Sequence, residues 1–87
     1  MTYTYDQIIT YEVARALINS HIADCSAEIA DEEAMAEPNG DRIAEMDQRI
    51  TELVLEREAL VLTDDVAVSQ VVAKYRRLPA SPEAKPL

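Results

Sequence analysis

The chain has 87 residues, room for one domain near the size at which a single core is only marginally sufficient. A single Cys excludes an internal disulfide, and a single Gly disfavours sheets and phosphate loops, both of which lean on several glycines. The net charge of −9 opposes nonspecific attraction to nucleic acid or to an anionic membrane and favours basic partners.

An apolar fraction of 48% beside 29% charged residues describes a folded chain, and the absence of Phe and Trp makes its core aliphatic. The expected class is all-α: an antiparallel, coiled-coil-like helical hairpin with a shorter third helix and a disordered C-terminal tail. Residues 1–78 form a single helical domain in this reading, with helices over about 4–37, 41–62 and 64–78, and 79–87 is a Pro-rich flexible tail. The start of the chain has no signal-peptide pattern and no apolar run is long enough to cross a bilayer, so the expected location is cytoplasmic.

Thr4 followed by Gln7 has the pattern of a capping box and opens the first helix. Ile8, Tyr11, Ile18, Ile22, Cys25, Ile29 and Ala36 then keep the three-and-four spacing of a coiled-coil seam, although Arg15 and Glu32 fall in the same register. Ile9, Val13, Ala16 and Leu17 lie on the other side, followed by Ala23, Ala27, Ala30 and Ala34. The N-terminal half of this helix is therefore apolar on two sides, where a surface helix needs one.

Glu37-Pro38-Asn39-Gly40-Asp41 is the strongest punctuation before the tail. Pro38 disfavours a helical Glu37, and Gly40 can supply a positive φ for the reversal. Asp41 is a suitable cap for a second helix carrying Ile43, Met46, Ile50, Leu53 and Leu60. Folding about this turn brings Ala36 near Ile43, Ile29 near Ile50 and Ile18 near Leu60. Thr63-Asp64-Asp65 supplies new capping oxygens, and Val68, Val71, Val72, Tyr75 and Leu78 form one side of a third helix that Pro79 stops. A β-hairpin through Leu60–Val68 is the competing reading, but Lys74–Leu78 continues a helical pattern better than a strand. The third helix either continues past a kink or folds back, and both arrangements leave one apolar side of the first helix without an internal partner. A homodimer or a hetero-partner is expected there, through Ile9, Val13, Ala16 and Leu17; the plain alternative is a tight three-helix monomer.

Charge is unevenly placed: residues 1–40 carry eight acids and one base, 41–65 eight acids and three bases, and 66–87 one acid and four bases. Asp31, Glu32, Glu33 and Glu37 crowd the end of the first helix, where the macrodipole disfavours negative charge. With Asp41, Glu45 and Asp47 they form a candidate partner-binding prong for a basic groove; the plain alternative is a solvated face. Their spacing is not that of an EF-hand. His21 and Cys25 stand at i, i+4, but the chain has no further His or Cys to complete a transition-metal site, and Cys25 lies on the apolar seam. No phosphate loop, nucleophile elbow or zinc motif is present, so an enzyme is not expected, nor a cofactor or metal. Arg76 and Arg77, with Lys74 and Lys85, are a thin basis for direct nucleic-acid binding.

The outline of residues 31–47 resembles the acidic-tipped helical hairpins of transcription factors that insert into the RNA polymerase secondary channel, without the cysteine cluster or the separate globular domain of those proteins. In size and charge the chain is similar to small acidic inhibitors of phages and plasmids, such as anti-CRISPR and nucleic-acid-mimic proteins. These resemblances imply a partner that handles nucleic acid. The expected function is a small acidic protein-binding module, an inhibitor or accessory factor occupying a basic site on such a protein. The alternatives are a structural coiled-coil oligomerisation or adaptor protein, and a transcription regulator with a basic C-terminal contact.

Overall fold

Thr4 opens the first helix as its spacing from Gln7 requires. The Thr4 hydroxyl accepts the Gln7 backbone N–H at 3.2 Å and the Gln7 carboxamide oxygen accepts the Thr4 N–H at 2.7 Å, so the capping box is complete. In this computed structural model, which describes residues 4–76, the chain forms α1 (Tyr5–Glu33), α2 (Gly40–Glu58) and α3 (Asp65–Arg76). No strand occurs among the described residues, so Leu60–Val68 is not a β-hairpin. Arg77, Leu78 and the Pro-rich segment 79–87 lie outside the described residues.

The reversal between α1 and α2 is built differently from the expectation. α1 ends at Glu33, earlier than Glu37, and Glu37 belongs to the connection. Pro38 keeps its predecessor out of the helical region, and the turn is closed by side chains. Asn39, not Asp41, is the cap of α2: its Oδ1 accepts the N–H groups of Asp41 at 3.0 Å and Arg42 at 3.2 Å. Asp41 sits in the first turn, where the helix dipole favours an acid. Gly40 is the first residue of α2 and has no positive φ. A Cβ there would meet nothing within 4 Å, so neither backbone strain nor crowding requires glycine.

α2 runs back along α1, with Arg42 reaching Glu28 at 3.1 Å near the turn and Arg57 donating to Asn19 at 2.6 Å farther along. Ala36, in the exposed connection, does not form the expected pair with Ile43 inside the seam. α2 stops at Glu58 rather than 62, because the following residues leave the helix to carry the chain toward the start of α1. Leu60 still packs against the core. Asp64 then caps α3 by accepting the Ala67 N–H at 3.2 Å.

α3 folds back and runs parallel to α1. Gln7 donates to Asp65 at 2.8 Å at one end, and the His21 and Tyr75 rings meet at 5.1 Å at the other. α1 packs against both other helices, whereas α2 and α3 have no close backbone packing and meet through side chains. The core lies where the three converge: Ala14 and Ile18 from α1, Leu53 from α2, and Val68, Val71 and Tyr75 from α3 are buried. Against expectation it is not purely aliphatic, Tyr75 being admitted because its hydroxyl reaches Glu56. Tyr11, Leu17, Ile22, Cys25, Leu60 and Val72 pack around them. Among the described residues no helix is long and apolar enough to cross a membrane.

Candidate functional site

The end of α1 and the start of α2 place the acidic residues around the tip of the hairpin, but they do not all do the same work. Glu32, at a seam position of α1, is only 9% exposed. Its Oε2 accepts the Asn39 backbone N–H at 3.1 Å, and its Oε1 lies 3.9 Å from Arg42 Nε. The same Arg42 pairs with Glu28. Glu32 therefore fastens the connection to α1, and its carboxylate faces the turn rather than a partner. Asp31, Glu33, Glu37, Asp41, Glu45 and Asp47 are exposed.

Ion pairs are unevenly spread over the surface. Glu12 pairs with Arg15 at 3.9 Å, Glu52 with Arg49 at 3.5 Å, Glu58 with Arg57 at 3.5 Å and Glu56 with Lys74 at 3.3 Å. Among the described residues none of the six exposed tip acids has an ion-pair partner. Exposed pairs of this kind contribute little to stability. Asp6, Asp24, Asp64 and Asp65 are unpaired among the described residues as well, so what distinguishes the tip is the number of unpaired acids gathered in one place.

The expected oligomer contacts divide as well. Ile9 is 45% exposed and Ala16 is exposed, while Val13 is half-buried and Leu17 packs against the core. The folded-back α3 covers the Leu17 side and leaves the Ile9 and Ala16 side open. Tyr5, 75% exposed, adds an aromatic ring near the end of that open side.

His21 and Cys25 have separate surroundings despite their spacing. The His21 ring packs on Tyr75. Burial pushes the Cys25 thiol up from its ordinary value, helped by the carboxylates of Glu28 and Asp24 and opposed by Arg49. A raised value keeps the thiol protonated and weakly nucleophilic at neutral pH. Among the described residues no group of three His, Cys, Asp or Glu side chains could hold a metal ion.

A polar cluster at the three-helix junction was not foreseen. The Tyr75 hydroxyl donates to Glu56, Lys74 Nζ lies 3.3 Å from the same carboxylate, and the Lys74 and Arg49 cations stand 5.0 and 6.0 Å from the centre of the Tyr75 ring. Hydrogen bonding to Tyr75 raises the Lys74 pKa above its ordinary value, slight burial opposes this, and Glu56 adds to it. Arg76 at the end of α3 is exposed, and Arg77 and Lys85 lie outside the described residues.

No protein-family model, curated protein or solved structure matches this chain.

Proposed function

We propose that the chain is a small acidic protein-binding module that presents the tip of its helical hairpin to a basic site on a nucleic-acid-handling protein, as an inhibitor or accessory factor. The observation carrying this reading is the concentration of unpaired acids at the tip: Asp31, Glu33, Glu37, Asp41, Glu45 and Asp47 are exposed there without a cationic partner among the described residues, while the other unpaired acids, Asp6, Asp24, Asp64 and Asp65, are fewer and lie away from it. Charge held this way steers association, discriminates against acidic partners, and lets a protein compete with phosphates for one groove. The likeness in size and charge to anti-CRISPR and nucleic-acid-mimic inhibitors supports the same class of partner.

The test reverses Glu33, Glu37 and Asp41 to Lys and leaves Glu32 in place, since Glu32 holds the turn. Wild type and variant are immobilised and challenged with a panel of purified DNA- and RNA-binding proteins at low and high salt, with duplex DNA and single-stranded RNA as competitors. The expected result is a panel member bound by wild type, weakened by salt, displaced by nucleic acid, and lost in the variant by at least about tenfold in affinity. A bound protein held equally by the variant would remove the tip from the mechanism.

The exposure of Tyr5 and Ile9 favours a second reading, a homodimer or adaptor contact through the open side of α1. Leu17 packs against the core, so Ile9→Asp is the cleaner probe of that surface than Leu17→Asp. A dimer in light scattering that resists salt and dissociates in Ile9→Asp is the expected outcome. A wild-type monomer across the accessible concentration range counts against this reading.

A further inference from the structure

The third helix is attached to the hairpin unevenly. α1 and α2 pack along their lengths and are cross-linked by Arg42 to Glu28 and Glu32 and by Arg57 to Asn19. α3 packs against α1 but has no close backbone packing with α2. A groove of about 360 Å³, lined by Glu56, Ala59, Leu60, Ala67, Val71 and Lys74 among others, separates α3 from the end of α2. Across that groove the polar link is the Glu56 carboxylate, which receives both the Tyr75 hydroxyl and the Lys74 ammonium.

Within its 12 described residues α3 carries Val66, Val68, Val71 and Val72, β-branched residues that favour an isolated helix poorly, so its helicity depends on being docked. The segment before it, from Leu60 to Asp64, is not helical and can change direction without breaking a helix ladder. What holds α3 is the insertion of Val68, Val71 and Tyr75 against Ala14, Ile18 and Leu53, together with one polar fastening at each end, Gln7 to Asp65 and Glu56 to Tyr75. A short element with one packed face, a non-helical tether and terminal fastenings is a unit that opens below the free energy of global unfolding.

We infer that α3 is a strap that opens as a unit, with Tyr75 bolted to Glu56 as its latch. Opening undocks Val68, Val71 and Tyr75 together and uncovers an apolar face made by Ala14, Ile18 and Leu53, flanked by Tyr11 and Leu17. The tip contacts of Glu28, Glu32, Asn39 and Arg42 lie in the other half of the hairpin and stay closed. The strap is independent of what the acidic tip binds.

Amide hydrogen exchange on the full chain tests this, comparing wild type with Tyr75→Phe and Glu56→Gln. Tyr75→Phe keeps the ring in the core and removes only the hydroxyl, and Glu56→Gln keeps the shape and weakens the contacts of Tyr75 and Lys74 to this side chain, leaving Gln7 and Asp65 joined. In wild type, amides of Val68–Tyr75 are expected to exchange faster than those of Ile22–Ile29 and Ile50–Leu53. Each variant is expected to accelerate Val68–Tyr75 about tenfold, as for a lost or weakened hydrogen bond to a charged acceptor, and to accelerate the hairpin amides by no more than that, with α3 remaining the faster-exchanging segment. Equal protection of all three segments in wild type would overturn the strap. Variants that leave α3 exchange unchanged would overturn the latch.

Discussion

Tyr75→Ala is expected to cost about 3–5 kcal/mol, the range for truncating a buried aromatic side chain. Tyr75 is 1% exposed and is among the largest fully buried side chains. It is the residue at which all three helices meet, through His21 of α1, Glu56 and Arg49 of α2, and its own neighbours on α3. Truncation opens a cavity beside Ile18 and Leu53 and deprives the Glu56 carboxylate of its hydroxyl donor. A domain of this length has a total stability on the order of 4–13 kcal/mol, so the loss is a large part of the whole. Thermal unfolding followed by circular dichroism should show the midpoint falling by about 12–40 °C. Tyr5→Ala is the control: Tyr5 is largely exposed, and its removal should leave the midpoint within a degree or two. A Tyr75→Ala midpoint as high as that of Tyr5→Ala would mean that α3 does not complete the core.

The prominence of Tyr75 shows what spacing conveys and what it does not. The three-and-four rhythm of Val68, Val71, Val72 and Tyr75 marks one side of α3, and Val68, Val71 and Tyr75 are the residues that become buried. That periodicity cannot say against what the side packs, because a continuing helix and a folded-back one present the same stripe. Ala14 illustrates the cost. It belongs to neither apolar stripe read along α1, yet it is fully buried, because α3 approaches α1 from a direction the hairpin alone does not use. Leu17 moves the other way, from the expected interface onto the core, for the same reason.

Turn chemistry was legible in kind but not in assignment. Pro38 and Gly40 mark a reversal, and one occurs. Asn39 and Asp41 are both acceptable caps, and the outcome is decided by Asn39 Oδ1 reaching two N–H groups at once. The non-helical stretch after Ala59 is likewise invisible to periodicity, since Leu60 remains at a core-facing position after α2 has ended. Of the candidate tip, the crowding of acids was plain in the sequence, whereas the distinct role of Glu32 required the loop to close over it. Its one signal was its place in the seam register, where an acid without a partner would be costly.

Glu32→Ala should therefore behave unlike any neighbouring acid. Removing the carboxylate leaves the Asn39 N–H without its acceptor and takes from Arg42 one of its two anionic partners. A hydrogen bond to a charged acceptor contributes about 1.5–3 kcal/mol, and because Asn39 is exposed and water can reach its N–H, the loss is expected at the lower end of that range. Glu33→Ala, one residue along on the exposed side of the same turn, should be neutral or slightly stabilising, because it removes an unpaired negative charge from a helix C-terminus. Urea unfolding of the two variants side by side makes the comparison. In binding the order should invert: Glu33→Ala weakens association with a basic partner through lost charge, while Glu32→Ala, with its carboxylate turned inward, changes association only as far as the tip loses its shape. If both variants unfold at the wild-type midpoint, the Glu32 contacts do not hold the turn, and Glu32 rejoins the exposed acids as part of the binding surface.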